Sequence, residues 1–335
     1  MAQPVTAALL SLVPVVAFLV ALYVLDTYRL QTLRRVIVAV GYGGAAALAC
    51  YVVNTHGFAA WGAGYALLGA PILEELVKGA YVLLCVARSR VGFPVDAAVI
   101  GFSVGAGFAL VENLVYLRQF ADSASPLTWL VRGLGTAMMH GGATALVAIF
   151  AIASWVRWRW LAAVPALAAG ILVHVLYNSG SLPALQRTVV VLVTLPPVLM
   201  LVFRLSEGML QRWMHAKMDD DLRTLDMIAS GEFLASPAGV YLASLRDSLQ
   251  PDIVADLFCI LRLAAELSAQ GKAELMRREL GFAPPGQPDP ERQEMLAEIA
   301  RLEHGIGKAG RRALAQLLPP NARDQWERMR LQEQQ

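Results

Sequence analysis

The sequence predicts an all-α membrane protein: a polytopic bundle of about seven transmembrane helices followed by a small helical cytoplasmic domain. Three observations carry this. Hydrophobic residues make up 57% of the 335 and charged residues only 16%, with a mean hydropathy of +0.52, which is too apolar for a soluble protein of this size. The apolar residues are gathered into runs close to the roughly 20 residues that a bilayer-spanning helix needs. Charge is divided along the chain: residues 1–204 hold 12 of the 28 Lys and Arg and 6 of the 26 Asp and Glu, which leaves an acidic excess from 205 onward.

Seven runs answer to the length rule: Val5 to Val24, Arg35 to Val53, Trp61 to Ala87, Pro94 to Leu117, Thr128 to Trp155, Trp160 to Asn178 and Thr188 to Phe203. The first has no basic flank before it and no A-x-A site, so it reads as a retained span rather than a signal peptide. The seventh is short and holds Pro196 and Pro197, which predicts a kink. Basic residues alternate between loops: Arg29, Arg34 and Arg35 after span 1, Arg88 and Arg90 after span 3, Arg157 and Arg159 after span 5, and Arg204, Arg212 and Lys217 after span 7. The opposite loops hold none, Arg118 and Arg187. Positive-inside logic then sets the N-terminus outside and the C-terminal region in the cytoplasm.

That division predicts a transmembrane domain over 1–205 and a helical cytoplasmic domain over 206–335. In the second, Pro251 to Leu280 carries Ile253, Val254, Leu257, Ile260, Leu261 and Ala264 at helical spacing, with Asp252 and Asp256 near its start. Four prolines within Phe282 to Pro290 end this helix before another from Glu291 to Leu318. With no Gly-rich phosphate loop and no His/Cys/Asp cluster, the region reads as a module for docking or for a cytoplasmic regulator. The net charge of +2, without a basic cluster interleaved with aromatics, points away from nucleic acid. Cys50, Cys85 and Cys259 lack CxxC spacing, so neither a disulfide framework nor a thiolate zinc site is expected.

The polar residues inside the apolar spans carry the functional signal, because a charge at the bilayer centre costs about 2.5–3.5 kcal/mol on insertion scales. Span 3 holds Glu74, Glu75 and Lys78, span 4 Glu112, Asn113 and Tyr116, span 5 Arg132 and His140, and span 6 His174 and Asn178. Glu74 and Lys78, Glu112 and Tyr116, and His174 and Asn178 stand at i,i+4, and Arg132 lies two turns from His140. Lipid satisfies none of these groups, so the stripes are expected to converge on a hydrated interior cavity. Three carboxylates against two cations leave one carboxylate unpaired, as a proton acceptor. His56, His215 and His304 fall outside this pattern and read as uninvolved. Two chemistries suit the set. A glutamate of span 3 activates water while His174 and Asn178 donate to the oxyanion; alternatively, His140, His174 and a glutamate hold zinc with an open water position. No HExxH motif supports the second, so no cofactor is favoured.

Glu74-Glu75-x-x-Lys78, Phe108-Ala-x-x-Glu112-Asn113, Arg132 with His140, and His174-x-x-x-Asn178, in this order and in successive spans, resemble the PrsW family of intramembrane proteases. That family is similar to the larger group of CAAX-processing and bacteriocin-processing membrane proteases. The resemblance covers Trp61 to Asn178. It implies a polytopic peptidase that cuts a membrane-anchored protein such as an anti-sigma factor, as the first cut of regulated proteolysis. It also implies that Glu74 and Glu75 are the catalytic pair, with Glu112, His140 and His174 completing the site, Asn178 where Asp or Asn is expected, and Lys78, Asn113 and Arg132 in support.

A rival class is a proton- or cation-coupled transporter or channel using the same glutamates and histidines, which calls for a repeated pair of halves that the sequence lacks. A third is a membrane scaffold whose tail recruits a partner. At about 1.5 Å per residue, Glu74 lies about 20 Å along span 3, Glu112 about 27 Å along span 4, His140 about 18 Å along span 5 and His174 about 21 Å along span 6. These depths run from mid-membrane toward the outer face, so the expected cut lies at the outer end of the substrate's helix or just beyond it.

Overall fold

Long apolar runs without water for a partner must satisfy their backbone internally, and helices are the single-segment solution. The structure, a computed structural model, is accordingly helical, with no strand among the described residues, which are 2–26, 28, 30–280, 282, 289–318 and 322–333. Arg29, one of the basic loop residues, and most of the proline-rich stretch from Phe282 to Pro290 lie outside them. The helices are α1 Ala2–Leu25, α2 Leu33–Gly64, α3 Ala70–Ala87, α4 Pro94–Phe120, α5 Pro126–Val131, α6 Ala137–Trp158, α7 Ala163–Asn178, α8 Ala184–Ser230, α9 Pro237–Ser244, α10 Pro251–Glu279, α11 Pro290–Gly305, α12 Gly307–Leu317 and α13 Ala322–Glu333. They divide into two compact units, Met1–Glu207 and Gly208–Gln335.

Five apolar helical runs in the described residues are long enough to cross a membrane: Pro4–Leu25, Leu33–Ala87, Pro94–Phe120, Pro126–Asn178 and Ala184–Ser230. The second and fourth have 55 and 53 residues, about 80 Å each if straight, far more than a hydrocarbon core of about 30 Å. Both are bent back on themselves. Gly62 takes φ 57°, ψ −138° at the end of α2, a conformation open to glycine at little cost, and the chain returns as a π-helical turn, Tyr65–Gly69, followed by α3. Arg159, with φ 51°, breaks the other run between α6 and α7. Cross-contacts confirm the antiparallel return: the Tyr42 hydroxyl donates to the Val77 carbonyl at 2.8 Å, and Trp155 packs edge-on against Trp160 at 5.0 Å. The expected span from Trp61 therefore begins at a reversal. The short seventh run is the first part of α8, which continues helically through Pro196 and Pro197 to Ser230.

Helix α4 is the centre of the first unit, with 72% of its most apolar window buried inside the protein against 17% for α1. It packs against α1, α2, α3 and α6. Small residues permit the approach: a Cβ on Gly107 would lie 2.0 Å from the Val40 carbonyl oxygen of α2, and one on Gly105 2.2 Å from that of His140 in α6. The outer surface stays apolar, with Val5, Val20, Ile37, Val156, Leu172 and Val193 all exposed, as a lipid-facing belt requires.

In the second unit, Leu257, Ile260 and Leu261 of α10 pack with Phe233, Leu302 and Leu314. The expected helix from Glu291 to Leu318 is two helices, broken at Gly307, whose φ is 63°. Lys272 is fully buried and paired with Asp221 at 3.0 Å and Glu327 at 2.8 Å. Glu274 of α10 accepts from Arg278 and, at 2.7 Å, from Arg292 of α11. Burial raises this carboxyl, but the Arg292 and Arg278 guanidiniums outweigh it and hold its pKa below the usual value. A depressed carboxylate contributes stability above its unfolded pKa of about 4.3 and loses it as pH falls through the folded value. Acidification below about pH 4 is therefore expected to speed amide exchange where α10 meets α11. In Glu274→Gln the exchange should already be fast at neutral pH and show less acid dependence.

Candidate active site

Residues 71–78 of α3 make two turns that bring two glutamates and a lysine into the centre of the first unit. Glu75 and Lys78 are fully buried and Glu74 is 8% exposed. Lys78 Nζ lies 2.5 Å from Glu75 Oε1, 3.0 Å from His140 Nδ1 and 4.7 Å above the Phe108 ring. The helix spacing singled out Glu74 and Lys78 as neighbours, but the lysine takes Glu75 instead, at i,i+3. Both of those side chains turn toward the histidines of α6 and α7, whereas Glu74 lines a cavity of about 940 Å³. The carboxylate left without a cation is thus Glu74.

Two histidines meet beside these groups, with ring centroids 4.8 Å apart and planes nearly perpendicular. His174 Nδ1 is 2.8 Å from Glu75 Oε1, and its Nε2 is 3.8 Å from Glu74 Oε2. A carboxylate only accepts, so Nδ1 carries the hydrogen; in the neutral ring Nε2 is then a lone pair facing Glu74. That differs from the expectation that His174 donates to an oxyanion, because Glu75 already takes the N–H. His140 has the other tautomer: the Lys78 ammonium donates to Nδ1, and Nε2–H donates to Glu112 Oε2 at 3.1 Å.

Glu112 is shared with Arg132, whose Nη2 lies 3.1 Å from the same Oε2. Arg132 opens a π-helical turn, Arg132–Thr136, and its guanidinium stacks 3.6 Å from the Tyr116 ring centre. Its Nε donates to Asn113 Oδ1 at 2.9 Å, and Asn113 Nδ2 donates to the Ser11 carbonyl of α1 at 2.8 Å. All the expected residues except Asn178 are joined in this network. Asn178 ends α7, is exposed, and lines the same cavity. His56 is exposed. The cysteines are free thiols; Cys50, considered in the sequence only as a disulfide or thiolate-zinc candidate, lines the cavity.

Two further residues escaped sequence reading. Asn54 Nδ2 donates to Glu74 Oε1 at 2.9 Å, and the Tyr65 hydroxyl donates to Asn54 Oδ1 at 2.9 Å. Both sit near the ends of apolar runs, where a polar residue attracts no notice; the reversal at Gly62 brings them to the site.

The cavity is lined by Thr55, Phe58, Gln119, Ser125, Ser179 and Ala184 as well as the polar cluster. Its mouth thus belongs to the three connections at residues 54–66, 119–128 and 178–187, and none of the described residues of the basic connections at 26–35, 88–93 and 157–160 lines it. Glu74, His140 and His174 each bring one ligand atom within 4.8 Å of the others, and all three are buried. Two imidazoles and a carboxylate form a donor set that zinc accepts in open catalytic sites. A carboxylate on the far nitrogen of a ligating histidine, as Glu75 is on His174, is the usual orienting partner. The residues therefore fit such an ion.

A family profile described as PrsW family intramembrane metalloprotease matches residues 15–203, more than half of the chain. The chain belongs to the PrsW family. No curated protein and no solved structure matches it. This PrsW-family chain is an intramembrane protease and a multi-pass integral membrane protein, which decides against the transporter and scaffold readings. The matched residues include α3, α4, α6 and α7 and so hold the whole polar cluster.

Proposed function

We propose that the protein hydrolyses a peptide bond of a membrane-anchored protein with water activated by Glu74. The observation that carries this is the contrast among the three carboxylates of the cluster. Glu75 faces Lys78, and Glu112, which also lines the cavity, is held by Arg132, while Glu74 faces the cavity and the His174 Nε2 lone pair with no ammonium or guanidinium paired to it. A base needs an uncommitted lone pair within reach of water and substrate, and Glu74 meets that condition. Water between Glu74 Oε2 and His174 Nε2 loses its proton to Glu74, which later passes it to the leaving amine. Glu75 keeps His174 oriented, Lys78 neutralises Glu75, and His140 links this half of the site to Glu112 and Arg132. Asn178, one turn beyond His174, supplies an amide N–H to the oxyanion. Asn113 ties Arg132 to α1.

The family description and the fitting donor set support a second reading, in which Glu74, His140 and His174 hold a zinc ion. Such an ion would polarise the scissile carbonyl and make hydroxide available at neutral pH. In that reading His140 would carry its proton on Nδ1 and offer Nε2 to the ion, giving up both the Glu112 and the Lys78 hydrogen bonds. Exhaustive chelation separates the two: activity that survives supports the glutamate base alone, whereas stoichiometric zinc that leaves and returns with activity supports the ion.

The topology we propose is seven crossings, N-terminus outside, with residues 206–335 a cytoplasmic module that binds a regulator. The antiparallel returns at Gly62 and Arg159 and the alternating basic loops support it. Reporter fusions after Gly180 are expected outside and fusions after Lys217 inside; one location for both would remove the last crossing. On this orientation the cavity mouth faces outward. The substrate class is then a single-pass protein, such as the anti-sigma factor that the family resemblance implies, cut at the outer end of its helix. The test is to incubate the purified protein with a membrane proteome and compare new termini against Glu74→Gln. Cuts on the cytoplasmic side of substrate helices would overturn the orientation.

A further inference from the structure

Glu74 is held from behind as well as facing the cavity. Its Oε1 accepts from Asn54 Nδ2, and Asn54 Oδ1 accepts from the Tyr65 hydroxyl. An amide suits this middle position because it offers a donor at one end and an acceptor at the other. Three separate segments supply the members: Asn54 from α2, Tyr65 from the turn after the Gly62 reversal, and Glu74 from α3.

The tyrosine at the far end is itself fixed. A Cβ on Gly57 would lie 2.3 Å from Tyr65 Cζ, and one on Gly69 2.3 Å from its Cδ2. The ring thus fills space that any other residue at either position would occupy. Phe58 packs edge-on against it at 5.6 Å and Trp61 lies at 5.9 Å. Tyr65 is buried, so its hydroxyl has few choices of direction. A glutamate at the wall of a cavity of about 940 Å³ would otherwise sample several rotamers, and most of them aim its oxygens away from His174.

We propose that Asn54 and Tyr65 are positioning residues for Glu74: they occupy Oε1 and so present Oε2 to the water beside His174. This rests on the reading of Glu74 as the base. The relay touches neither substrate nor water; it narrows the orientations of the group that does. Misplacing a reacting group by about 1 Å costs on the order of 100-fold in rate.

The test uses the full chain in detergent with Tyr65→Phe, Asn54→Leu, both together, and Glu74→Gln. The substrate is a transmembrane peptide carrying a cut site found in the proteome comparison. Asn54→Leu is expected to lower kcat by up to about 100-fold at unchanged KM, and Tyr65→Phe by about 3- to 10-fold. In the double variant the tyrosine change should add nothing, because its only route to Glu74 is gone. A readout free of turnover is labelling by dicyclohexylcarbodiimide, which forms a stable adduct on membrane carboxyl groups. The adduct at Glu74, quantified by peptide mass spectrometry, should form about 3- to 10-fold faster once a hydrogen bond to the carboxylate is lost, with labelling elsewhere unchanged. Normal kcat and normal Glu74 labelling in folded Tyr65→Phe and Asn54→Leu, or additive losses in the double variant, would overturn the relay while a dead Glu74→Gln upholds the base. An active Glu74→Gln would overturn the base itself.

Discussion

Replacing Glu74 by Gln is expected to lower proteolysis by about 10²- to 10⁴-fold, the range for loss of a general base. The change keeps the length and shape of the side chain and removes the lone pair that takes the proton. The fold should survive it, because Glu74 is the carboxylate without a cationic partner and no ammonium or guanidinium is left buried alone. The Asn54 amide can still donate to the new side-chain carbonyl. Unfolding temperature in detergent should therefore stay near the parent value while turnover collapses. Near-normal turnover by the folded variant would move the base to another residue.

The second large effect falls on stability. Lys78→Met keeps the volume of the side chain but leaves Glu75, fully buried, as a carboxylate without its ammonium. Removing one partner of a buried pair costs about 3–5 kcal/mol, because the remaining charge stays desolvated. The variant should unfold at much lower temperature, and the loss should exceed that of any single change at the cavity wall. Replacing both members, Lys78→Met with Glu75→Leu, should recover most of the loss, since paired charges and apolar residues of like volume are nearly equivalent in a buried site. Activity should not return with stability. Without Glu75, His174 loses the acceptor on Nδ1 and with it the tautomer that turns its lone pair toward Glu74. Equal melting temperatures for the parent and Lys78→Met would show that the pair contributes nothing to the fold.

Much of this protein is legible without coordinates, for an energetic reason. Ionisable groups are so costly in hydrocarbon that Glu74, Glu75, Lys78, Glu112, Arg132, His140 and His174 stand out from their apolar surroundings, and their order along the chain is itself a motif. Helix content, membrane residence and family follow from the same contrast. The single helix expected from Glu291 to Leu318 fails for the opposite reason: in a water-exposed, charged region Gly307 bears no strong signal, yet its positive φ ends one helix and starts another.

Composition and spacing determined which residues must leave the lipid, because that is a property of each side chain and its distance from the ends of a span. Partner choice was decided only by the tertiary structure. On an isolated helix Lys78 reaches Glu74 at i,i+4 as well as Glu75 at i,i+3. It takes Glu75 because His140 and His174 approach from α6 and α7 on that side, while Asn54 reaches Glu74 on the other. Asn54 and Tyr65 became neighbours of Glu74 through a reversal that depends on one glycine with positive φ. Contacts of that kind join segments that share no periodicity, so only the packed structure holds the information.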